Sequence, residues 1–353
     1  MKAPGLKGVD RVRRVDRVAP LSLGQRFLRP QTLLSFLFAA LIIVFLVRRV
    51  DVDASQIWKD VRSANPALVG LAFFTFYGGF MVRVVRWRQM LGQAGVTADP
   101  NVALPSNAGL LDILLLSWFA NCIVPAKLGD IYRGVLLKRR SNAPFTISMG
   151  TIAAERIIDL LLLIALILPA GVIVYGSTNP MGSSTATVYG GVMVLAGIVA
   201  VGCIWLARRR LMALLPAMLA EPVGRLQTGL FENLRRPWPS TGYSALLWML
   251  EGVRFFVVAW SLGAVLPPST ALVIALAGSL AAVWPFTPAG LGVVEATLLY
   301  LLTLAGVSAE TAAAIVVLER VVSYWSLIVI GFPLYIRQVR HDVEEAVNQA
   351  STA

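Results

Sequence analysis

Long apolar segments separated by short polar ones make up most of the chain. A helix needs about 20 largely apolar residues to cross a bilayer. Segments near this length run approximately over 31–47, 67–82, 146–175, 186–207, 243–266 and 310–336. Two further apolar segments, 105–124 and 270–306, are interrupted by Pro and Gly. We expect these two to be re-entrant hairpins, because irregular backbone at membrane depth is tolerated where it is buried in protein or lines a wet cavity.

The composition agrees with this pattern. Of the 353 residues, 57% are hydrophobic and 14% are charged, whereas soluble domains carry about 25% charged residues. The sequence therefore predicts an all-α polytopic membrane protein with about six spanning helices and two re-entrant hairpins.

The scarcity of certain residue types excludes much chemistry. His341 is the only histidine, and Cys122 and Cys203, the only cysteines, both lie in apolar segments. Histidine-dependent nucleophilic catalysis and most zinc sites are therefore excluded. We predict no catalytic residues, no metal site and no cofactor.

The basic residues predict an orientation. Net charge is +12, but Lys and Arg cluster beside the apolar segments, which favours a topological role over nucleic-acid binding. With the N-terminus inside, 24 of the 31 basic residues, among them Arg83 and Arg86 at the cytoplasmic flank of the span 67–82, fall on segments predicted to be cytoplasmic, and four fall outside, between Arg48 and Arg62. Both termini should therefore face the cytoplasm in a multi-pass inner-membrane protein.

This orientation gives a simple organisation. We predict a basic cytoplasmic segment (1–30), one transmembrane domain (31–336) and a cytoplasmic tail (337–353). Residues 48–63 are predicted to form an outer interfacial helix, and 208–242 a cytoplasmic loop. Trp87, Trp238 and Trp325 are predicted interface anchors.

A short sequence occurs twice. Pro-Ala-x-Leu-Gly stands at 125–129 and again at 288–292, and each copy is followed by a Glu-Arg pair, at Glu155-Arg156 and Glu319-Arg320. The Pro-to-Glu spacing is 30 residues in the first copy and 31 in the second. Three predicted spans separate the hairpins, so the repeat, with halves near 105–175 and 270–336, should be inverted. Such repeats, with broken helices meeting near the midplane, are typical of secondary transporters; the alternative is a scaffold duplicated only for packing.

Ionisable residues inside apolar segments are costly and normally face a protein interior. We predict that the ionisable residues near the repeat, together with the hairpin turns, form a path for a polar headgroup. The half-helices after the turns would direct N–H groups at an anion, with Lys127 and Arg133 contacting it. Internal ion pairs and tight hairpin corners are the alternatives, and Glu251–Arg254, spaced i,i+3, is predicted to be a structural ion pair. The predicted path comprises Lys127, Gly129, Asp130, Arg133, Glu155, Arg156, Asp159, Pro288, Gly290, Gly292, Glu295, Glu319 and Arg320.

These motifs, in this order, resemble a known family. The run Arg83–Arg88, the two Pro-Ala-x-Leu-Gly turns with Asp130 and Glu295 after them, and the two Glu-Arg pairs are similar to the flippase-like transmembrane domain found in lysylphosphatidylglycerol synthetases and in stand-alone membrane proteins. The similarity covers approximately residues 30–340.

The resemblance implies translocation of a polar-headed lipid across the cytoplasmic membrane. In the synthetase, aminoacyl transfer belongs to a separate soluble domain, which this sequence is not expected to contain. Stand-alone members have been linked to different lipids, so the partner is left as a phospholipid, a hopanoid or a polyprenyl-linked lipid. Two alternatives stay open: a membrane-embedded transferase using carboxylates such as Asp130 or Glu295, and a membrane subunit of a separately encoded lipid synthase.

Overall fold

A computed structural model describes residues 54–175, 216–283 and 286–351, with scattered positions in 32–41 and 195–206. The basic segment 1–30 lies outside the described residues, as do the predicted spans 31–47 and 186–207 apart from those scattered positions. Throughout the described ranges the regular structure is helical, with no strand. This part of the chain confirms the predicted all-α class.

Eleven α-helical segments can be delimited in the described ranges: α1 Ala54–Ser63, α2 Pro66–Gln93, α3 Asn107–Ile123, α4 Leu128–Ser141, α5 Phe145–Tyr175, α6 Ala217–Arg235, α7 Trp238–Ser261, α8 Pro268–Ala281, α9 Val293–Leu304, α10 Ala309–Arg320 and α11 Ser326–Ser351. A π-helical turn, Val321–Trp325, joins α10 to α11 without a break. The helix therefore continues through most of the predicted cytoplasmic tail.

Three of the described helices are long and apolar enough to cross a membrane: α2, α7 and the continuous stretch Ala309–Glu344. They correspond to the predicted spans 67–82, 243–266 and 310–336. Helix α5 reproduces the bounds predicted for 146–175 but carries Glu155, Arg156 and Asp159 in its first half. The total of about six spans stays a prediction.

The helices adjoining the predicted hairpins are short. Helices α3, α8 and α9 contain 17, 14 and 12 residues. At 1.5 Å per residue they extend roughly 18–26 Å, less than the ~30 Å hydrocarbon core of a bilayer. None of these helices is long enough to cross the bilayer by itself, as expected for the helices of a re-entrant hairpin.

The hairpin turn between α3 and α4 and the one between α8 and α9 share an unusual backbone. In the first, Ala126 and Lys127 have φ of 63° and 52°; in the second, Ala289 and Gly290 have φ of 47° and 71°. Two consecutive left-handed residues are uncommon when the residues are not glycine. The matching positions of the two Pro-Ala-x-Leu-Gly motifs thus adopt the same conformation.

Glycine makes a close approach possible at the first turn. A Cβ on Gly129 would lie 2.0 Å from the carbonyl oxygen of Ser117 and 2.6 Å from Asn121 Oδ1. The start of α4 is therefore pressed against the end of α3, and this places the turn beside the core formed by α2, α3, α7 and α8.

Two expectations about the surface were wrong. The segment 208–242 contains helix α6, which packs on α5 through Gly150 and Gly229, because a Cβ on Gly229 would lie 2.1 Å from the Ile147 carbonyl oxygen. Trp238 and Trp325 are exposed, as interface anchors would be, but Trp87 is fully buried. Helix α2 continues past the predicted end of its span, and this continuation takes Trp87 into the core.

Candidate functional site

A cavity of about 430 Å³ lies between the two hairpin turns and the long helices. Its polar side chains come from α2, α3, α4, α5, α7, α8 and α10, from the π-helical turn and from both hairpin turns. The charged residues that line it are Arg83, Arg86, Lys127, Asp130, Glu155, Arg156, Asp159, Glu251, Arg254, Glu319 and Arg320. Apolar side chains such as Trp118, Leu163 and Leu298 fill the rest of the wall. Charged side chains and apolar surface thus line the same cavity.

The first ion-pair cluster is built around Glu155 of α5. Arg133 of α4 forms a two-pronged contact with its carboxylate, at 3.2 Å and 3.0 Å. Arg86 of α2 lies 2.9 Å from Glu155 Oε1 and also donates to Asp159 at 2.6 Å. Ser244 of α7 donates to the same Asp159 oxygen at 2.7 Å. Four helices are therefore fixed to one another through a single carboxylate pair.

The second cluster is built around Glu319 of α10. Arg254 of α7 donates to Glu319 Oε1 at 2.6 Å and also contacts Glu251 one turn earlier on its own helix. Ser323, in the π-helical turn, donates to the other Glu319 oxygen at 3.1 Å. The predicted Glu251–Arg254 ion pair is present, but it lines the cavity and is joined to the repeated Glu-Arg pair.

The Arg of each Glu-Arg pair contacts the helix that leaves the nearest hairpin turn. Arg156 holds Asp130, in the first turn of α4, with two bonds of 3.0 Å and 2.9 Å. Arg320 lies 2.7 Å from Glu295, in the first turn of α9. The neighbouring glutamate, Glu155 or Glu319, pairs with an arginine of a long helix, α2 or α7, and Glu155 pairs in addition with Arg133 of α4. Apart from the Arg133 contact, the same pattern of connections occurs in both halves.

The two residues of each Glu-Arg motif do not pair with each other. Neighbouring residues on a helix point about 100° apart, so Glu155 and Arg156 face different helices and find separate partners. The same holds for Glu319 and Arg320.

The N–H groups of the two turn glycines are not available to an anion. The Gly129 N–H donates to Asn121 Oδ1 at 2.8 Å, and the Gly292 N–H donates to Glu295 Oε2 at 2.6 Å. Both donors are thus occupied by the protein itself. The glycines instead allow close packing and positive φ, with φ of 87° at Gly292.

The predicted path residues fall into two groups. Those at the cavity wall are Lys127, Asp130, Glu155, Arg156, Asp159, Glu319 and Arg320. Those behind the wall are Gly129, Arg133, Pro288, Gly290, Gly292 and Glu295, which are absent from the lining. Arg133 is 1% exposed, with its guanidinium 3.8 Å from the centre of the Trp87 ring. It therefore positions Glu155 and does not reach a ligand in the cavity, contrary to the sequence prediction.

Two arginines and one amide were missed by the sequence analysis. Arg83 and Arg86 were assigned to a cytoplasmic flank, but both line the cavity, as does Asn121. One sequence signal could have indicated them. Arg83 and Arg86 are spaced i,i+3 within an apolar segment, as are Glu251 and Arg254. Without Arg83, Arg86, Lys127 and Arg133, twenty basic residues still lie on the segments predicted to be cytoplasmic.

Comparisons with known proteins identify relatives of this chain among membrane proteins. The UPF0104 membrane protein MJ1078 of Methanocaldococcus jannaschii is 30% identical, over 65% of this chain and 99% of that protein. A UPF0104 membrane protein of Methanothermobacter thermautotrophicus is 24% identical, over 86% of this chain and 92% of its own length. The glycosyltransferase AglD of Haloferax volcanii is 25% identical over 86% of this chain, which spans only 54% of that protein. No solved structure matches the chain.

The family comparison covers most of the chain. The model of the lysylphosphatidylglycerol synthase transmembrane region matches residues 32–331, close to the 30–340 over which the sequence motifs indicated a resemblance. It includes both hairpin turns and both ion-pair clusters. The chain is a multi-pass membrane protein and belongs to the lysylphosphatidylglycerol synthase transmembrane region family.

Proposed function

We propose that this protein moves a polar-headed lipid across the cytoplasmic membrane. The observation that carries the proposal is the cavity of about 430 Å³, in which eleven ionisable side chains meet apolar walls. Placing an ionisable residue within a membrane domain costs free energy, and such residues usually mark the route of a polar substrate. The headgroup would occupy the charged cavity while the acyl chains stay in lipid.

The two clusters suggest how the cavity changes the side to which it opens. Each connects a hairpin helix to a Glu-Arg pair and that pair to a long helix, by Asp130–Arg156 and Glu155–Arg86 in one half and by Glu295–Arg320 and Glu319–Arg254 in the other. We propose that the halves form an inverted repeat, with the first hairpin entering from the cytoplasm and the second from outside. Rocking of one half against the other would then expose the headgroup alternately.

Reconstitution tests this proposal. Protein in liposomes that contain fluorescent headgroup-labelled lipids should accelerate loss of fluorescence when an impermeant quencher is added outside. Protein-free liposomes give the background rate. A lipid that crosses unchanged, as verified by mass spectrometry, supports transport, whereas a background rate with every polar-headed lipid tested contradicts it.

Two matched substitutions test the alternation. Glu155→Gln and Glu319→Gln nearly preserve side-chain volume, but each removes one negative charge from its own cluster, the charge shared by Arg86 and Arg133 or the one that faces Arg254. We expect slower transport in both, with the cavity trapped toward opposite sides. Exposed Lys59 lies outside the cavity, so Lys59→Gln should transport at the unmodified rate. Unchanged transport in both glutamine variants would mean that the clusters only hold the helices together.

A second function is favoured by one comparison. The chain is similar to about half of a protein named as a glycosyltransferase, so a membrane partner of an enzyme that modifies lipid-linked substrates is an alternative. Chemical change of the lipid during reconstitution with a separately supplied transferase, and no movement without it, would favour this function.

A further inference from the structure

We propose that the cavity binds the phosphate of a monoanionic phosphodiester headgroup between Arg83 and Lys127. The proposal rests on the proposed function and specifies its substrate class. The sequence did not indicate that these two residues share a site, because Arg83 was assigned to a cytoplasmic flank.

These two cations differ from the others that line the cavity. Arg86, Arg156, Arg254 and Arg320 each lie within ion-pair distance of at least one carboxylate. Arg83 and Lys127 have no ion pair to any residue that the structure describes. Both line the cavity, so each has a charge available for a ligand.

The balance of formal charge points to a ligand of one negative charge. The cavity wall and the residues directly behind it carry seven cations, namely Arg83, Arg86, Lys127, Arg133, Arg156, Arg254 and Arg320. They carry six carboxylates, namely Asp130, Glu155, Asp159, Glu251, Glu295 and Glu319. A net positive charge inside a membrane domain is costly. A monoanion would neutralise it, whereas a phosphomonoester dianion would leave an excess of negative charge.

Within the described ranges, Arg83 is held by aromatic side chains and not by a carboxylate. Its Cζ lies 4.7 Å from the centre of the Trp118 ring and 5.5 Å from that of Phe80. Contacts of this kind are cation–π interactions, in which the ring and not a carboxylate attracts the guanidinium group. The N–H groups in its plane then match the oxygens of a phosphate, which arginine recognises with two parallel hydrogen bonds.

The backbone at Lys127 also suggests a function for its side chain. Lys127 has φ of 52°, a conformation that favours glycine, and the corresponding position in the second turn is Gly290, with φ of 71°. Glycine would fit the first turn with less strain. A lysine at this place supplies instead a positive charge at the cavity wall.

Binding to the purified protein in a neutral detergent tests the proposal without any transport measurement. The probes are dihexanoylphosphatidylglycerol, a monoanionic phosphodiester; dihexanoylglycerol, which lacks the phosphate; and inorganic phosphate. We expect the first to bind at least about tenfold more tightly than the second, a difference of about 1.4 kcal/mol. Equal binding of these two probes would overturn the proposal. Inorganic phosphate that binds as tightly as the phospholipid would assign the site to a soluble phosphate and overturn the lipid source.

Matched variants locate the site. Arg83→Gln and Lys127→Gly should each weaken binding of the phospholipid about tenfold, and Lys127→Gly keeps the turn because it reproduces the residue of the second turn. If Arg83→Gln fails to fold, Arg83→Lys keeps the charge but loses the two-pronged contact and should still bind more weakly. Lys59→Gln should bind normally. Unchanged affinity in the Arg83 and Lys127 variants would overturn the assignment. Intact binding with no lipid movement in liposomes would count against the transport function alone.

Discussion

Arg254 Nη1 lies 2.6 Å from Glu319 Oε1, and this contact connects helices α7 and α10 across 65 positions of sequence. Both side chains are almost fully buried. Arg254 also contacts Glu251, so one guanidinium neutralises two carboxylates. The contact belongs to the second ion-pair cluster and to the wall of the cavity.

Removing this guanidinium should therefore destabilise the protein strongly. Arg254→Gln leaves Glu319 buried and without its arginine, and breaking a buried ion pair from one side costs about 3–5 kcal/mol. We expect a much lower yield of monodisperse protein and a lower melting temperature in detergent. Arg225→Gln is the control, since Arg225 forms an exposed pair with Glu221 on the same helix and such pairs contribute less than about 1 kcal/mol.

The same geometry changes what is expected of Glu251. Sequence alone suggested that Glu251→Ala would leave Arg254 unpaired. Because Arg254 keeps Glu319 and Glu251 is 21% exposed, this substitution should cost less than Arg254→Gln. A melting temperature for Glu251→Ala as low as that of Arg254→Gln would contradict the assigned pairing.

The close approach at Gly129 gives a second prediction. Gly129→Ala places a methyl group 2.0 Å from a backbone oxygen of α3, a separation that the helices can relieve only by moving apart. We expect little folded protein. Gly70→Ala is a matched control, because a Cβ at Gly70 meets nothing within 4 Å and alanine favours the helix by up to about 1 kcal/mol. The measurement is the fraction of monodisperse protein in size-exclusion chromatography, and similar fractions for the two variants would contradict the packing described here.

The sequence predicted the parts of the site that are contiguous in the chain. The two Pro-Ala-x-Leu-Gly turns and the two Glu-Arg pairs were found because each is a short repeated string. The actual partners of Glu155 were not found, since Arg86 comes from a different helix and carries no local sign of its contact. Trp87 was misassigned for a similar reason: burial against Arg133 depends on how α2 and α4 pack, which apolar periodicity does not reveal.

Helix α1 and the connection between α6 and α7 provide a test of topology. Lys59 and Arg236 are both exposed, and the basic-residue bias places Lys59 outside and Arg236 in the cytoplasm. After replacement of Cys122 and Cys203 by alanine, Lys59→Cys and Arg236→Cys should react with an impermeant maleimide from opposite sides of the membrane. Reaction of both cysteines from the same side would refute the proposed inverted arrangement.

The base of the first hairpin is tied to α11 by ion pairs. Asp112 of α3 lies 2.7 Å from Arg140 of α4 and 2.8 Å from Arg337 of α11, and Arg139 lies 2.8 Å from Asp342. The other end of the same hairpin carries Ala126 and Lys127 to the cavity wall. Movement of the hairpin that opened the cavity would therefore have to separate these charges at its base.

Asp112→Asn should consequently make the cavity more accessible. It removes the negative charge that Arg140 and Arg337 share, so the hairpin should separate from α11 more often. With Ala126→Cys as the reporter and both native cysteines replaced, we expect Asp112→Asn to raise the rate of maleimide labelling several-fold, a change of about 1 kcal/mol in the opening equilibrium. Salt should raise the rate of the parent protein toward that of the variant, because partly exposed ion pairs are screened. Arg225→Gln should leave the rate unchanged. Equal rates for the parent and Asp112→Asn at low salt would show that these ion pairs do not restrain the hairpin.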